Sequence, residues 1–205
     1  EAAVDTGGYV DLVDPVEVHR AHWVLGTGDF SRLPVAYPWI ANNRSGRGSL
    51  RLARSYGLML AFEDSTAWGV WRRYNRPGYT IFARPTRSLP DIPRQRRDFQ
   101  KSADGGRPKM RWSSTMQMRP RAMLKAGELL FFGGCPDRTQ ATDPLAAYRG
   151  KEGGRLRIYE AETGKKAGGR RLKAPPTWDG MAAADGRLYL SLQNGRLVCL
   201  EDGEK

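Results

Sequence analysis

The chain has 205 residues, of which 40% are hydrophobic, and it carries a formal net charge of +12. This length allows one large domain or two small ones, and the apolar content is sufficient for a packed core. No apolar run approaches the roughly 18 residues that a membrane-spanning helix needs, so the sequence predicts no membrane span.

The first thirty residues are acidic, with six Asp or Glu against Arg20. The chain starts at Glu1 rather than at a methionine and shows no signal-peptide pattern. We therefore expect a processed product or a piece of a longer protein. Residues 9–13 have the pattern of an outer β-strand from an earlier structural unit.

His19 and His22 are the two histidines of the chain, and they stand three residues apart beside Trp23. Histidine is the usual acid, base or metal ligand near neutral pH, which makes this group a candidate ligand-binding site. In the alternative interpretation, one histidine caps a strand and the other packs beside Trp23. No third ligand of suitable type stands nearby, so we predict no metal site.

The segment 88–118 is an irregular, strongly basic insertion. From residue 84 to 125 there are twelve Lys and Arg against three Asp, which accounts for +9 of the +12 charge. Such a loop could bind a polyanion by charge neutralisation, or its cations could pair with acids of a missing portion or partner chain. The candidate contact residues are Arg94, Arg96, Arg97, Lys101, Arg107, Lys109 and Arg111.

The C-terminal stretch predicts three antiparallel strands, at 180–184, 187–192 and 196–200. The dipeptides Asp185-Gly186 and Asn194-Gly195 between them favour two-residue hairpin turns. Alternation in the middle strand places the leucines on one face: Leu188, Leu190 and Leu192. Three strands bury too little apolar surface to be stable alone, so this meander is expected to stack on another sheet.

Earlier parts of the chain repeat this pattern. In sequence, residues 195–202 align with residues 154–161, and residues 181–190 align with residues 123–132. A period of about 40 to 45 residues with several short strands is typical of a propeller blade. We predict one all-β portion over 1–205, with blades at about 16–85, 119–176 and 177–205 and insertions at about 88–118 and 134–153.

Three blades are too few for closure, because propellers close with about four to eight blades of four strands. The sequence therefore predicts a partial β-propeller, half or less of a seven- or eight-bladed one. Its last blade lacks a fourth strand, which the remainder of the propeller or a second chain would supply.

The two cysteines lie in different predicted blades. Cys135 falls in the second insertion and Cys199 in the last predicted strand. A disulfide is an alternative in an oxidising compartment. We expect no disulfide, because Cys199 alternates with Leu197 and is predicted to be a small core residue.

The motifs RLYLSLQNG and RLVCLED, with HRAHWVLGTG at 19–28, resemble quinoprotein-like β-propellers that carry pyrroloquinoline quinone repeats, specifically the C-terminal portion of planctomycete-type members. The resemblance implies a periplasmic or secreted location. Dehydrogenases of this family hold the quinone and calcium with adjacent cysteines, a tryptophan platform and acidic residues. This sequence has no Cys-Cys pair, and Trp178-Asp179 matches only part of that constellation.

The combined prediction is a non-catalytic, extracytoplasmic propeller that acts as a binding or assembly scaffold without a cofactor. One alternative is a fragment of a quinone- and calcium-dependent dehydrogenase, with Trp178 and Asp179 as ligand-binding residues. A further alternative is a polyanion-binding module that uses the basic insertion.

Overall fold

The computed structural model describes residues 21–25, 30–34, 55–63, 65–73, 77–85, 110–138 and 140–201. Every regular element in these ranges is a β-strand, so the predicted all-β class is confirmed. No helix long and apolar enough to cross a membrane is found within them. The chain divides into two compact units, Glu1–Trp71 with Phe82–Arg111, and Arg72–Ile81 with Trp112–Lys205.

The first sheet has three short strands. β1 (Ala21–Leu25) pairs antiparallel with both β2 (Phe30–Pro34) and β3 (Ser55–Gly57), which gives the order β2-β1-β3. In this register His22 is opposite Leu33, and Trp23 is opposite Arg32.

The second sheet is a sequential four-stranded meander. Its strands are β4 (Met59–Phe62), β5 (Thr66–Arg72), β6 (Tyr79–Pro85) and β7 (Trp112–Met116). A tight turn joins the first two, because the backbone groups of Glu63 and Thr66 exchange hydrogen bonds of 2.8 and 3.3 Å. β7 lies inside the segment 88–118, for which the sequence indicated an irregular insertion.

The third and fourth sheets repeat this arrangement. The third runs sequentially through β8 (Met118–Ala126), β9 (Leu129–Pro136), β10 (Gly154–Glu160) and β11 (Lys166–Leu172). The fourth has β12 (Pro176–Ala184), β13 (Arg187–Leu192) and β14 (Leu197–Glu201). These sequential antiparallel sheets of three and four strands are the partial propeller-like fold expected from the sequence.

One of the two predicted hairpin turns is confirmed and the other is longer than predicted. Asp185 and Gly186 both have positive φ, 49° and 73°, and they join the paired residues Ala184 and Arg187 directly. The β13–β14 turn instead has three residues, because the amide of Leu192 donates to the carbonyl of Arg196 at 2.8 Å. There only Gly195 takes positive φ, which is typical of a three-residue hairpin loop.

A shared apolar cluster joins the third and fourth sheets. Its buried members are Leu156, Leu172, Ala174, Leu188, Leu190 and Leu192, and Val198 and Leu200 of β14 pack against them. The prediction that the β13 leucines share one buried face is therefore confirmed. The prediction that Cys199 is a core residue is wrong, because β14 turns Val198 and Leu200 inward and leaves Cys199 exposed. The two cysteines do not form a disulfide.

Candidate functional site

One end of the second unit concentrates charged side chains, and we call it the loop end. It is formed by residues 72–73 and 77–79, the start of β8, the described residues 137–138 and 140–153 of the β9–β10 loop, and the β13–β14 turn. Three contacts hold these parts together: Asp137 with Gly78, Arg121 with Tyr148, and Arg121 with Gln193.

Asp137, just after β9, contacts both Arg72 and Gly78. Its Oδ2 accepts a 2.9 Å hydrogen bond from the amide of Gly78, and its Oδ1 lies 3.8 Å from Nη1 of Arg72. Arg72 also donates to the hydroxyl of Tyr79 at 3.2 Å and stacks on that ring. Only 8% of the Asp137 side chain is exposed, so this carboxylate is a buried structural partner of the neighbouring amide and guanidinium.

The β9–β10 loop is organised by two further carboxylates. The buried side chain of Glu152 accepts hydrogen bonds from Arg138 and Gln140. Asp143 pairs with Lys151 at 2.7 Å and also accepts from the amide of Leu145. The hydrogen bond from Lys151 is the main reason why the pKa of Asp143 lies below its ordinary value. Each of these two acids is therefore paired with a cation and accepts a further hydrogen bond within the described part of the loop.

Arg121 is the unusual residue of the loop end, since its side chain is only 3% exposed. It lies at a register shift in β8, where Pro120 pairs with Gly134 and Ala122 pairs with Gly133. Such a bulge redirects a side chain out of the regular alternation. A Cβ on Gly134 would lie 1.9 Å from the carbonyl oxygen of Arg119, so this close backbone approach requires glycine.

Arg121 and Arg119 surround the ring of Tyr148. The guanidinium carbons lie 4.8 Å and 5.6 Å from the ring centroid, respectively. Arg121 also donates to the backbone oxygen of Tyr148 and, at 3.1 Å, to Oε1 of Gln193. None of these residues was predicted from the sequence to be functional. The available signal was the Arg-Pro-Arg run at 119–121, together with the adjacent glycines 133 and 134.

A second basic feature lies on β10 and β11, where Arg155 pairs directly with Arg171. The pKa of Arg155 is lowered, first by burial and then by the positive charges of Arg171, Arg157 and Arg138. Glu152 opposes this effect. This surface is therefore strongly electropositive.

The sequence-predicted ligand residues are distributed between the two units. His22 and Trp23 belong to β1 of the first unit, and His19 lies outside the described residues. Trp178 and Asp179 belong to the second unit, in the irregular part of β12 between Pro176 and Met181. There Trp178 is 40% exposed and Asp179 has φ of 52°.

Most of the predicted basic contact residues, from Arg94 to Lys109, also lie outside the described residues. Arg111 is one of the residues that the structure describes, and it immediately precedes β7. Its amide donates to the carbonyl of Ala83 at 2.8 Å, and its Nη2 donates to the carbonyl of Ser65 at 3.2 Å. Within the described ranges, no group of three or more His, Cys, Asp or Glu side chains could hold a metal ion.

The comparisons with known proteins assign this chain to no family. No protein-family model matches the sequence, and no curated protein matches it. Among solved structures, the chain is similar to the crystal structure of the computationally designed Ika4 protein. That likeness has 9% sequence identity and a TM-score of 0.33, and it covers 70% of this chain and 89% of the designed chain.

Proposed function

We propose that this protein is a non-catalytic binding scaffold whose last sheet is completed by a β-strand of a second polypeptide. The observation that carries the proposal is the edge strand β14. The second and third sheets have four strands each, whereas the fourth has three and ends at β14 in the part of the chain that is described. Leu197 at the start of β14 is 72% exposed, and Cys199 is exposed beside it.

The edge of the third sheet differs in a way that supports this proposal. β11 carries exposed Lys166, Arg170 and Arg171, and its pairing shifts register opposite Ile158 and Tyr159. Charges and register irregularities on an edge strand discourage pairing with other chains. β14 has the sequence Leu-Val-Cys-Leu-Glu, with neither lysine nor proline, and its register with β13 is continuous.

The free edge of β14 also has the appropriate hydrogen-bonding groups. The bond from Leu192 to Arg196 fixes the alternation of the antiparallel pair, so Val198 and Leu200 direct their backbone groups toward β13. The backbone groups of Leu197 and Cys199 consequently point away from the sheet. Strand addition uses such groups for affinity and the alternating side chains for specificity.

The resemblance to quinoprotein-like propellers agrees with a missing fourth strand, because their blades have four strands. The same resemblance underlies the proposed periplasmic or secreted location. The quinone- and calcium-dependent dehydrogenase remains an alternative proposal, and quinone absorbance together with calcium-dependent activity would support it.

The test of the scaffold proposal is native mass spectrometry of the protein isolated gently from its source. We expect a complex with a second polypeptide, and we expect amide exchange at Leu197 and Cys199 to be slow in the complex and fast in the isolated chain. Leu197→Lys places a charge on the free edge and should abolish the complex. Ala167→Lys adds the same charge to the already basic β11 and should leave the complex intact.

Two results would overturn the proposal. One is a complex that survives Leu197→Lys unchanged. The other is slow exchange of these two amides in the isolated monomer, which would mean that the chain itself covers the edge. A homodimer sensitive to Leu197→Lys would identify the second polypeptide as another copy of this chain.

A second candidate function, polyanion binding, is favoured by the facing arginines Arg155 and Arg171. Like charges directly opposite each other on paired strands are destabilising, and an anionic polymer would relieve their repulsion. Heparin is a suitable probe. Replacing both arginines by glutamine should reduce the slope of log affinity against log salt by about one per arginine.

The matched control for this probe is the double variant Arg149→Gln and Arg196→Gln, which removes the same charge from exposed positions outside β10 and β11. It should retain most of the affinity. A third variant that neutralises Arg94, Arg96 and Arg97 tests the basic insertion. If all three variants bound heparin as the parent chain does, polyanion binding would be excluded for these surfaces.

A further inference from the structure

The buried guanidinium of Arg121 has an incomplete set of partners. It donates to Gln193 Oε1 and to the backbone oxygen of Tyr148, and it stacks on the Tyr148 ring. Its Nε is buried and has no acceptor among the residues that the structure describes. None of these partners carries a negative charge, although an arginine side chain stays protonated at any ordinary pH.

Such an arrangement is costly for an isolated protein. A buried charge needs an opposite charge or a full set of hydrogen bonds to offset the loss of hydration. Buried polar atoms without a partner are rare, and an unseen ion or water is a common explanation. Arg121 therefore has two separate deficits, an acceptor at Nε and a negative charge for the guanidinium as a whole. An anion at Nη1, where Gln193 now accepts, would supply the charge.

One of the two acceptors of Arg121 comes from an exposed residue. Gln193 is an exposed residue of the β13–β14 turn, and its side-chain amide is the acceptor on the solvent side. A glutamine side chain at the surface can rotate away at little cost. Arg119, which is only partly buried, stacks on the same Tyr148 ring and brings a second guanidinium to it.

Gly150 packs closely against Gln193 and Pro175. It has φ of +80°, and a Cβ there would lie 3.0 Å from Gln193 Oε1 and 3.0 Å from Pro175. The β9–β10 loop and the β13–β14 turn are therefore in close contact beside Arg121.

We propose that an oxyanion, a phosphate or carboxylate group, displaces the side-chain amide of Gln193 and binds Arg121 and Arg119 over the ring of Tyr148. Guanidinium groups bind planar or tetrahedral oxyanions through paired, charge-assisted hydrogen bonds. The site is distinct from the β14 edge and from the Arg155–Arg171 surface, so it stands independently of the function proposed above.

The test uses the full chain and two probes, inorganic phosphate and acetate, titrated against sodium chloride at constant ionic strength. Nε resonances of the arginine side chains report binding at Arg121 directly. We expect saturable binding of at least one probe, and the stronger of the two identifies phosphate or carboxylate as the preferred group.

Gln193→Glu is the decisive variant because it supplies the missing carboxylate from the chain itself. It should weaken binding of the probe by at least about tenfold, the factor expected from losing one charge-assisted hydrogen bond. It should also raise the melting temperature of the ligand-free chain. Gln193→Ala removes the competing amide and should bind the probe more tightly than the parent chain.

Gln117→Glu is the matched control, since it makes the same change at an exposed position of the same unit. It should leave the affinity within about twofold of the parent value, because exposed charges contribute little. The proposal is overturned if neither probe saturates an arginine Nε resonance. It is equally overturned if Gln193→Glu and Gln117→Glu change the affinity to the same extent.

Discussion

Arg155 of β10 and Arg171 of β11 lie directly opposite each other in the antiparallel register, so two positive charges share one face of the third sheet. The pKa of Arg155 is lowered partly by this neighbour. The sheet forms despite the repulsion, because the opposite faces of β10 and β11 contribute Leu156 and Leu172 to the apolar cluster.

The first prediction concerns this pair. Arg171→Glu should convert the repulsion into a cross-strand ion pair and increase the free energy of unfolding by about 0.5 kcal/mol. The gain should shrink in 1 M salt, where exposed charges are screened over about 3 Å. Urea denaturation at low and high salt measures both effects.

Arg170→Glu is the control, because Arg170 is opposite Leu156 and gains no ion pair in this register. Both variants change the net charge equally. If both were stabilised to the same extent, the effect would come from total charge rather than from the pair.

The second prediction concerns the pH dependence of the β9–β10 loop. Asp143 has a pKa below its ordinary value of 3.8, mainly because of the hydrogen bond from Lys151. A carboxyl whose folded pKa is lowered stabilises the fold above its unfolded pKa, and this stabilisation is lost as the pH falls through the folded pKa. The contribution should therefore disappear between pH 3.8 and the lower folded value.

Lys151→Met should move the pKa of Asp143 back toward its ordinary value, as measured by NMR titration of its carboxyl carbon. Lys166→Met is the control, since it removes an exposed lysine that does not contact Asp143. An Asp143 pKa that is unchanged in Lys151→Met would show that the loop backbone, and not the lysine, lowers it.

The third prediction tests the anchor at Asp137. Asp137→Asn keeps an acceptor for the amide of Gly78 but removes the charge that faces Arg72. Because Asp137 is buried, we expect a loss of roughly 1–2 kcal/mol in the free energy of unfolding. Chemical denaturation measures the loss, and faster amide exchange at Gly78 shows whether its hydrogen bond to Asp137 is weakened.

Asp143→Asn provides the comparison at a more exposed carboxylate of the same loop. Its loss should be smaller, because surface ion pairs contribute little. Equal losses in the two variants would contradict the structural importance assigned to Asp137.

The sequence predicted the fold best where turn chemistry and alternation agree. Asp185-Gly186 forms the expected two-residue turn because both residues tolerate positive φ, and the leucines of β13 share a buried face as alternation requires. The two-residue turn predicted at Asn194-Gly195 is wrong. Only the glycine takes positive φ, and the loop has three residues because it includes Gln193. A dipeptide favours a turn type, but the closing hydrogen bond decides its length.

The strand β7 and the burial of Arg121 illustrate what local pattern cannot predict. Trp-Ser-Ser-Thr-Met has little apolar alternation, and β7 is held by tertiary contacts, including the 3.0 Å bond from Trp112 Nε1 to the carbonyl of Ala161. Arg121 is buried because a register shift opposite Gly133 and Gly134 turns it inward. Neither the tertiary contacts of β7 nor the register shift at Arg121 can be predicted from the sequence until the pairing of the strands is known.

The fourth prediction concerns Gly69 in β5, where the packing leaves no room for a side chain. A Cβ there would lie 2.4 Å from Cζ of Phe82 and 2.6 Å from Cδ2 of Leu60. The ring of Phe82 also stacks on Trp71, with centroids 4.3 Å apart, so it cannot move without disturbing a second aromatic ring. We therefore expect Gly69→Ala to cost about 1–3 kcal/mol of unfolding free energy, the usual range for overpacking a core.

Gly168→Ala is the matched control in β11, because a Cβ there would meet only Cδ1 of Ile158, at an ordinary contact distance of 3.8 Å. Replacing glycine by alanine also removes freedom from the unfolded chain, which favours folding when no clash opposes it. Gly168→Ala should therefore be neutral or stabilising, while Gly69→Ala lowers the denaturation midpoint. A neutral Gly69→Ala would mean that Leu60 and Phe82 can both repack, and that the second sheet is less tightly packed than its geometry indicates.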